Sequence, residues 1–353
     1  MRLFLAAAAL VCASGCALAS LYREPLPPQA ELVKARTEDG WDVALIHYRP
    51  VGEPSGPPVL LCHGISANAR NMDLDEAHSL ARWLAARGRE SFAVSLRGGG
   101  DSDMPDPAAG RAYLYSIDTF ATQDIPAAIA KIRALTGAPK VDYVGHSMGG
   151  LVGYIYLARG GDGFNSFVVL GSPVRFTWGR DVESALQWAA RILKDRIHFV
   201  DTHLLVDMLT PMHGEVHTVA DDILYNPENI PKPLWKKFVA TGVSTISGGV
   251  LQQFALWLEK DVMLSAEGDR DYLAALRTVQ VPVFVVAGKA DRFAPAPSVK
   301  LGYEAMGGEK QFFIAGEENG FLHDYGHMDM VVGDRAPQEL WPRLFAFMQA
   351  HRP

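Results

Sequence analysis

Short, continuous runs of apolar residues recur along the chain and alternate with amphipathic stretches. The runs lie at residues 59–61, 92–94, 143–144, 167–170, 283–286 and 312–314. Runs without polar alternation are typical of strands that are buried on both faces of a parallel sheet. Helical patterns, such as those at 77–87 and 125–135, fall between them. The alternation predicts an α/β fold with a mostly parallel central sheet and helices on both faces.

Two segments depart from this alternation. Residues 31–48 alternate apolar and polar side chains around Glu38-Asp39-Gly40, which predicts a β-hairpin. Residues 175–277 instead show helical patterns at 184–197, 233–239 and 251–258, and contain four tryptophans, namely Trp178, Trp188, Trp235 and Trp257. We expect a helical cap, inserted after the sixth strand, over the ligand-binding edge of the sheet. A helical segment that only packs against the core is the alternative.

The N-terminus has the pattern of an export signal. Met1 and Arg2 precede an apolar, alanine-rich stretch at residues 3–12, and the predicted signal peptide covers residues 1–19. Ala13-Ser14-Gly15-Cys16 resembles a bacterial lipobox, whereas Ala17-Leu18-Ala19 resembles an ordinary cleavage site. The first predicts an envelope lipoprotein, for instance of the outer membrane, that is anchored through lipidated Cys16. The second predicts a soluble periplasmic or secreted protein.

Removal of the signal leaves a core at residues 20–174, the cap at 175–277 and the rest of the core at 278–353. The chain has 353 residues, of which 48% are hydrophobic and 21% charged, with a formal net charge of −7. Its Lys and Arg residues are scattered, so nucleic acid is not an expected partner. Cys62 alone remains beyond the signal, which excludes an intrachain disulfide and suits a buried strand position. No spacing of metal ligands is present, and we expect no cofactor.

Residues 145–150 read Gly-His-Ser-Met-Gly-Gly and lie between a strand pattern and a helix pattern. A G-x-S-x-G sequence in this context forms a sharp turn that holds the serine in a strained, exposed conformation. The pattern predicts that Ser147 is a nucleophile, and a purely structural turn is the alternative.

A serine hydroxyl needs a histidine base and a carboxylate that orients the histidine. In folds with this turn they follow the serine in the order carboxylate, then histidine. Asp291 comes directly after the predicted strand at 282–287. His323 and His327 both follow the last predicted strand, and the flexibility of neighbouring Gly326 favours His327.

The reaction also needs two backbone N–H groups to stabilise the oxyanion. The residue after the nucleophile, Met148, supplies one. Ile65 is the candidate for the other, because Leu61-Cys62-His63-Gly64-Ile65 ends the first parallel strand. His63, Gly64 and His146 adjoin these positions and are expected to support the site through hydrogen bonds.

These motifs, in this order, resemble the α/β-hydrolase superfamily and, within it, the acid lipase family of gastric and lysosomal lipases. The similarity includes the loop at Asp291 and residues 37–40, 61–65, 79–88, 96–98, 124–127, 143–150 and 325–330. It covers most of residues 31–350 but is thin across the cap. Those lipases usually have Gln where this chain has Met148. The resemblance implies ester hydrolysis by Ser147, Asp291 and His327, but it does not imply a particular ester.

The sequence thus predicts an exported serine esterase or lipase that cleaves a small-molecule or lipid ester through an acyl-enzyme. A serine aminopeptidase is the second hypothesis, since the cap contains acidic residues that could bind a substrate amine: Asp181, Glu183, Glu215, Asp221 and Asp222. A non-catalytic envelope lipid-binding protein is the third. Ser147 argues against hydrolases with an aspartate nucleophile and against polyhydroxyalkanoate synthases, which use cysteine.

Overall fold

An eight-stranded sheet forms the centre of the protein in a computed structural model that describes residues 21–22, 25–176, 199–200, 202 and 219–353. Its strands are β1 Ala30–Arg36, β2 Asp42–Tyr48, β3 Val59–Cys62, β4 Ser91–Ser95, β5 Val141–His146, β6 Phe164–Leu170, β9 Val283–Gly288 and β10 Lys310–Ala315. They lie in the order β1-β2-β4-β3-β5-β6-β9-β10. Two further strands, β7 Phe199–Val200 and β8 Ile246–Ser247, pair with each other.

The sheet is mostly parallel, as the apolar runs predict. The β1–β2 hairpin and the β2–β4 pairing are antiparallel, and every other pairing in the large sheet is parallel. All six predicted runs are strands, and the predicted hairpin is present. The α/β fold class is therefore confirmed.

Helices connect these strands. They are α1 Leu80–Ala85, α2 Ile117–Thr119, α3 Ile125–Thr136, α4 Met148–Ala158, α5 Val219–Leu224, α6 Lys232–Gly242, α7 Gly248–Lys260, α8 Tyr272–Leu276, α9 Ala296–Ala305, α10 Asp329–Val332, α11 Ala336–Glu339 and α12 Trp341–Ala350. Within the described ranges, no helix is both long and apolar enough to span a bilayer.

Each face of the sheet buries its own apolar cluster, because successive side chains of a strand point to opposite faces. In β3, for example, Leu60 belongs to one cluster and Leu61 to the other. Helices α3 and α4 cover the first cluster, and α1 and α12 cover the second. This layered core brings the carboxyl ends of β3, β5, β6, β9 and β10 to one edge of the sheet.

The predicted cap interval is described only in part. Helices α6 and α7 contain two of the patterns that suggested it, and the indoles of Trp235 and Trp257 are buried. Trp178, Trp188 and the helix predicted at 184–197 lie outside the described residues. The segment between α6 and α7 contacts the loop after β3, where Ser244 N–H donates to Ser66 O at 2.9 Å. A complete cap over the site remains a prediction.

Candidate active site

Ser147 occupies the turn between β5 and α4 with φ 52° and ψ −121°, in the left-handed region that L-residues rarely adopt. Ser147 is 3% exposed, so the structure buries the serine that the motif was expected to expose, and its N–H donates to Leu170 O at 2.8 Å. The flanking glycines are required by close packing. A Cβ on Gly149 would lie 2.3 Å from Cys62 O, and one on Gly145 would lie 2.5 Å from the Gly149 carbonyl carbon. The turn therefore presses against the end of β3.

Asp291 and His327 form a buried hydrogen-bonded pair. His327 Nδ1 lies 2.8 Å from Asp291 Oδ2, while Asp291 Oδ1 accepts from Ala294 N at 2.7 Å. A carboxylate only accepts, so Nδ1 carries the proton and Nε2 is left as the basic nitrogen. This is the tautomer that a general base needs.

The serine and this pair meet at Leu170 and Gly171, at the end of β6. A Cβ on Gly171 would lie 3.1 Å from Asp291 Oδ2 and 3.3 Å from His327 Nδ1. The preceding residue, Leu170, holds the Ser147 N–H. Hence three residues that are far apart in the sequence lie around a single strand end.

His323, the competing histidine, has a different environment. Its Nδ1 lies 3.6 Å from Glu228 Oε2, and its side chain is 27% exposed. The structure pairs His327, and not His323, with Asp291.

The two candidate oxyanion donors belong to segments that adjoin the nucleophile. Met148 is the first residue of α4, where backbone N–H groups have no acceptor within the helix. Ile65 and Met148 both line a small cavity of about 20 Å³, whose walls combine apolar residues such as Phe120 with polar ones such as Thr245. Gly64 touches the serine, because a Cβ there would lie 3.1 Å from Ser147 Cβ.

His63 fixes the peptide that carries the Ile65 N–H. Its Nε2 accepts from Leu96 N at 3.0 Å, so Nδ1–H donates to Gly64 O at 2.8 Å. Burial lowers the pKa of His63 to about 4, which keeps the ring neutral. In a trans peptide the carbonyl and the next N–H point in opposite directions. The ring therefore directs the Ile65 N–H away from itself.

His146 connects the serine turn to the loop that contains His327. Its Nε2 donates to His327 O at 3.0 Å, and its Nδ1 lies 3.2 Å from the Asn71 side-chain amide. Burial, together with the neighbouring His327, holds the pKa of His146 well below its usual value. Asn71 also lies 3.4 Å from Gly64 N. The sequence gives no signal for Asn71, which reaches the site from the short 3₁₀ helix Ala69–Asn71.

The remaining sequence predictions concern the cysteines, the acidic residues of the cap and metal ligands. Cys62 is a free, fully buried thiol whose pKa burial raises to about 12, as expected of a structural strand residue. Cys16 and the acidic residues at 181, 183 and 215 lie outside the described residues. The described part of the chain contains no group of three or more His, Cys, Asp or Glu side chains placed to hold a metal ion.

The strained serine turn, the buried Asp–His pair and the mostly parallel sheet together define an α/β hydrolase. The chain belongs to the alpha/beta hydrolase fold family, which it matches over residues 57–333.

Similar proteins were found both by sequence and by structure. The gastric triacylglycerol lipase of Rattus norvegicus is 29% identical over 197 residues, which are 53% of this chain and 48% of that lipase. A poly(3-hydroxyalkanoate) polymerase subunit of Rhizobium etli is 23% identical over 80% of this chain and 44% of its own length. The chain thus spans about half the length of these curated relatives. An esterase from Exiguobacterium antarcticum shares the fold, with a TM-score of 0.60, 19% identity and coverage of 90% of this chain and 99% of that one.

Proposed function

We propose that this protein is an exported serine ester hydrolase, an esterase or lipase, whose catalytic triad is Ser147, His327 and Asp291. One observation supports the proposal most strongly: a serine with φ 52° shares the end of β6 with a buried Asp–His pair. Strain of this kind clusters at reactive groups. The resemblance to acid lipases, including the gastric lipase named above, favours an ester as substrate.

The reaction proceeds through an acyl-enzyme. Ser147 Oγ attacks the ester carbonyl while His327 Nε2 accepts the hydroxyl proton, and Asp291 stabilises the imidazolium. The Met148 and Ile65 N–H groups bind the oxyanion. His327 then donates its proton to the leaving alcohol. Water, deprotonated by the same histidine, attacks the acyl-serine, and His327 returns the proton to Ser147 Oγ as the carboxylic acid leaves.

The resemblance to the polymerase subunit suggests polymer synthesis as a second candidate reaction, but the site residues favour hydrolysis. That relative covers more of this chain than the lipase does, but at lower identity. Its class uses a cysteine nucleophile, whereas this chain has Ser147 at the turn, and Cys62 is buried within β3 as an un-ionised thiol.

A panel of p-nitrophenyl esters from acetate to palmitate, run beside aminoacyl-p-nitroanilides, tests the proposal. We expect saturable ester hydrolysis and no anilide hydrolysis above that of the Ser147→Ala variant. Comparable anilide turnover would favour the aminopeptidase hypothesis, for which Asp221 and Asp222 on α5 are the described candidate residues. Failure to hydrolyse any substrate would favour the lipid-binding hypothesis.

We further propose that the protein is a lipoprotein, anchored through Cys16. Each buried methylene of an acyl chain contributes about 0.8 kcal/mol, so several chains give stable anchoring. We expect the wild type in the membrane fraction and the Cys16→Ser variant in the soluble fraction. Soluble wild-type protein that begins at Ser20, and is unchanged by Cys16→Ser, would instead establish the ordinary signal-peptide cleavage.

A further inference from the structure

Asp329 is a fully buried carboxylate that binds only uncharged donors. Oδ2 accepts from Gly326 N at 2.7 Å and from Asn229 Nδ2 at 2.8 Å, and Oδ1 accepts from Asn226 N at 3.1 Å. A buried carboxylate without a cation is unfavourable unless hydrogen bonds compensate it.

All three donors belong to the two segments that meet beside His327. Gly326 directly precedes the histidine, and a Cβ there would lie 2.8 Å from Asn226 N. On the other side, Met328 N donates to Leu224 O at 2.8 Å. The segment 224–229 begins at the last residue of α5 and belongs to the insertion between β6 and β9. The peptide that follows His327 is thus hydrogen-bonded to this insertion, and Gly326, which precedes His327, packs closely against it.

The two asparagines reinforce the same junction. Asn226 Nδ2 and Asn229 Nδ2 donate to Asp324 O at 2.8 Å and 3.0 Å. Asn229 therefore bridges Asp324 and Asp329, which stand before and after His327 in the loop.

We propose that Asp329, with Asn226 and Asn229, forms a carboxylate clamp that positions His327 for proton transfer and ties its position to the insertion. The proposal rests on the proposed role of His327 as the general base. Asp329 is a positioning residue in this scheme, since it acts through the loop and not on the substrate.

The clamp requires the ionised carboxylate. Every partner of Asp329 is an N–H donor, so none of them offers a lone pair that could accept the proton of a carboxylic acid. Burial opposes ionisation and, with the nearby Asp291, raises the pKa of Asp329 to about 7 from its usual 3.8. The charged or titratable groups around it are Asp291 after β9, His327 and Tyr325 in its own loop, Tyr225 after α5, and Arg335 and Glu339 beyond Tyr325.

The protonation state of Asp329 affects stability and activity in opposite ways. The folded-state pKa lies above the unfolded value, so protonated Asp329 stabilises the fold at low pH. That contribution is lost as the pH rises through about 7. Asn at this position cannot ionise and should gain stability relative to the wild type as the pH rises. The Asn variant should nevertheless lose activity. Its side-chain nitrogen is a hydrogen-bond donor and would face one of the N–H donors that now bind the carboxylate.

The test compares Asp329→Asn with Asp118→Asn as a matched control. Asp118 is also buried and accepts from Ala266 N, Gln253 Nε2 and Tyr272 OH, although Arg159 lies 3.8 Å away. For Asp329→Asn at about pH 8, we expect kcat to fall ~10–100-fold with KM within ~3-fold, since misplacing a catalytic group by about 1 Å has that effect. We expect Asp118→Asn to retain kcat within ~3-fold.

Two readouts do not depend on turnover. The Tm of Asp329→Asn relative to wild type should rise by roughly 5 °C between pH 5 and pH 8. The low-field proton resonance of His327 Nδ1–H, present in the wild type, should broaden or shift in Asp329→Asn and stay in place in Asp118→Asn. Absence of ester turnover in the wild type, with this resonance still dependent on Asp329, would contradict the proposed function but not the clamp.

A variant with wild-type kcat and an unmoved resonance would overturn the clamp. If Asp329→Asn does not fold, Asn229→Ala provides the second test, because it removes one hydrogen bond from Asp329 and keeps the carboxylate. We expect Asn229→Ala to lower kcat and shift the resonance in the same direction. An unaffected kcat in this variant would also overturn the clamp.

Discussion

Replacing Ser147 by Ala is expected to lower ester turnover at least ~10³-fold while leaving the fold intact. Only the hydroxyl that forms the acyl-enzyme is removed, and the Ala side chain keeps the Cβ that already occupies the turn. Ala and Ser tolerate φ 52° about equally, so the strain stored at the turn is unchanged. Stopped-flow or plate-reader kinetics with a p-nitrophenyl ester measures the rate, and thermal unfolding checks the fold.

Ser172→Ala is the matched control for this experiment. Ser172 is a second fully buried serine near the same strand end, and its hydroxyl donates to Leu170 O at 3.4 Å. Its loss should leave turnover within ~3-fold of the wild type, since one weak hydrogen bond is removed. If Ser147→Ala retains more than a tenth of the wild-type rate, the triad assignment fails.

The strands were predictable because the sheet is buried on both faces. A strand such as β9, in which all six residues are buried, leaves a continuous apolar run in the sequence, and six such runs gave six strands. Helix limits were less accurate. The pattern at 77–87 gave α1 Leu80–Ala85, because the Asp75 carboxylate accepts from Ala77 N and His78 N and keeps them in a turn. Ser79 then caps the helix.

The pairing of Asp291 with His327 followed from chain order and from the position of each residue after a strand. The asparagines that support the site could not be found in this way, whereas His63 and His146 could, because they adjoin the motifs. Asn71 reaches His146 across 75 positions, and Asn229 reaches Asp329 across 100, and neither asparagine lies in a recognisable motif. Such contacts depend on how separate loops meet, which periodicity does not encode. Asp329 is visible in the sequence as an acidic residue at the start of an apolar run, but that position does not indicate its role.

The choice between the two histidines leads to the second large effect. His327→Ala should be as damaging as Ser147→Ala, because the serine hydroxyl is a poor nucleophile once its base is lost, and the two residues act as one unit.

Asp291→Asn should be severe but somewhat less damaging, since His327 keeps a hydrogen-bonding partner at Nδ1 while the imidazolium loses a buried negative charge.

His323→Ala should change turnover by less than ~3-fold, because its ring is partly exposed and faces Glu228 at 3.6 Å, away from Asp291. Measuring kcat/KM for the three variants with one ester, at the optimum pH of the wild type, separates these expectations. If His323→Ala abolishes turnover and His327→Ala does not, the base is His323. The hydrogen bond between His327 and Asp291 would then be structural, and the loop would have to rearrange on binding substrate to bring His323 to Ser147.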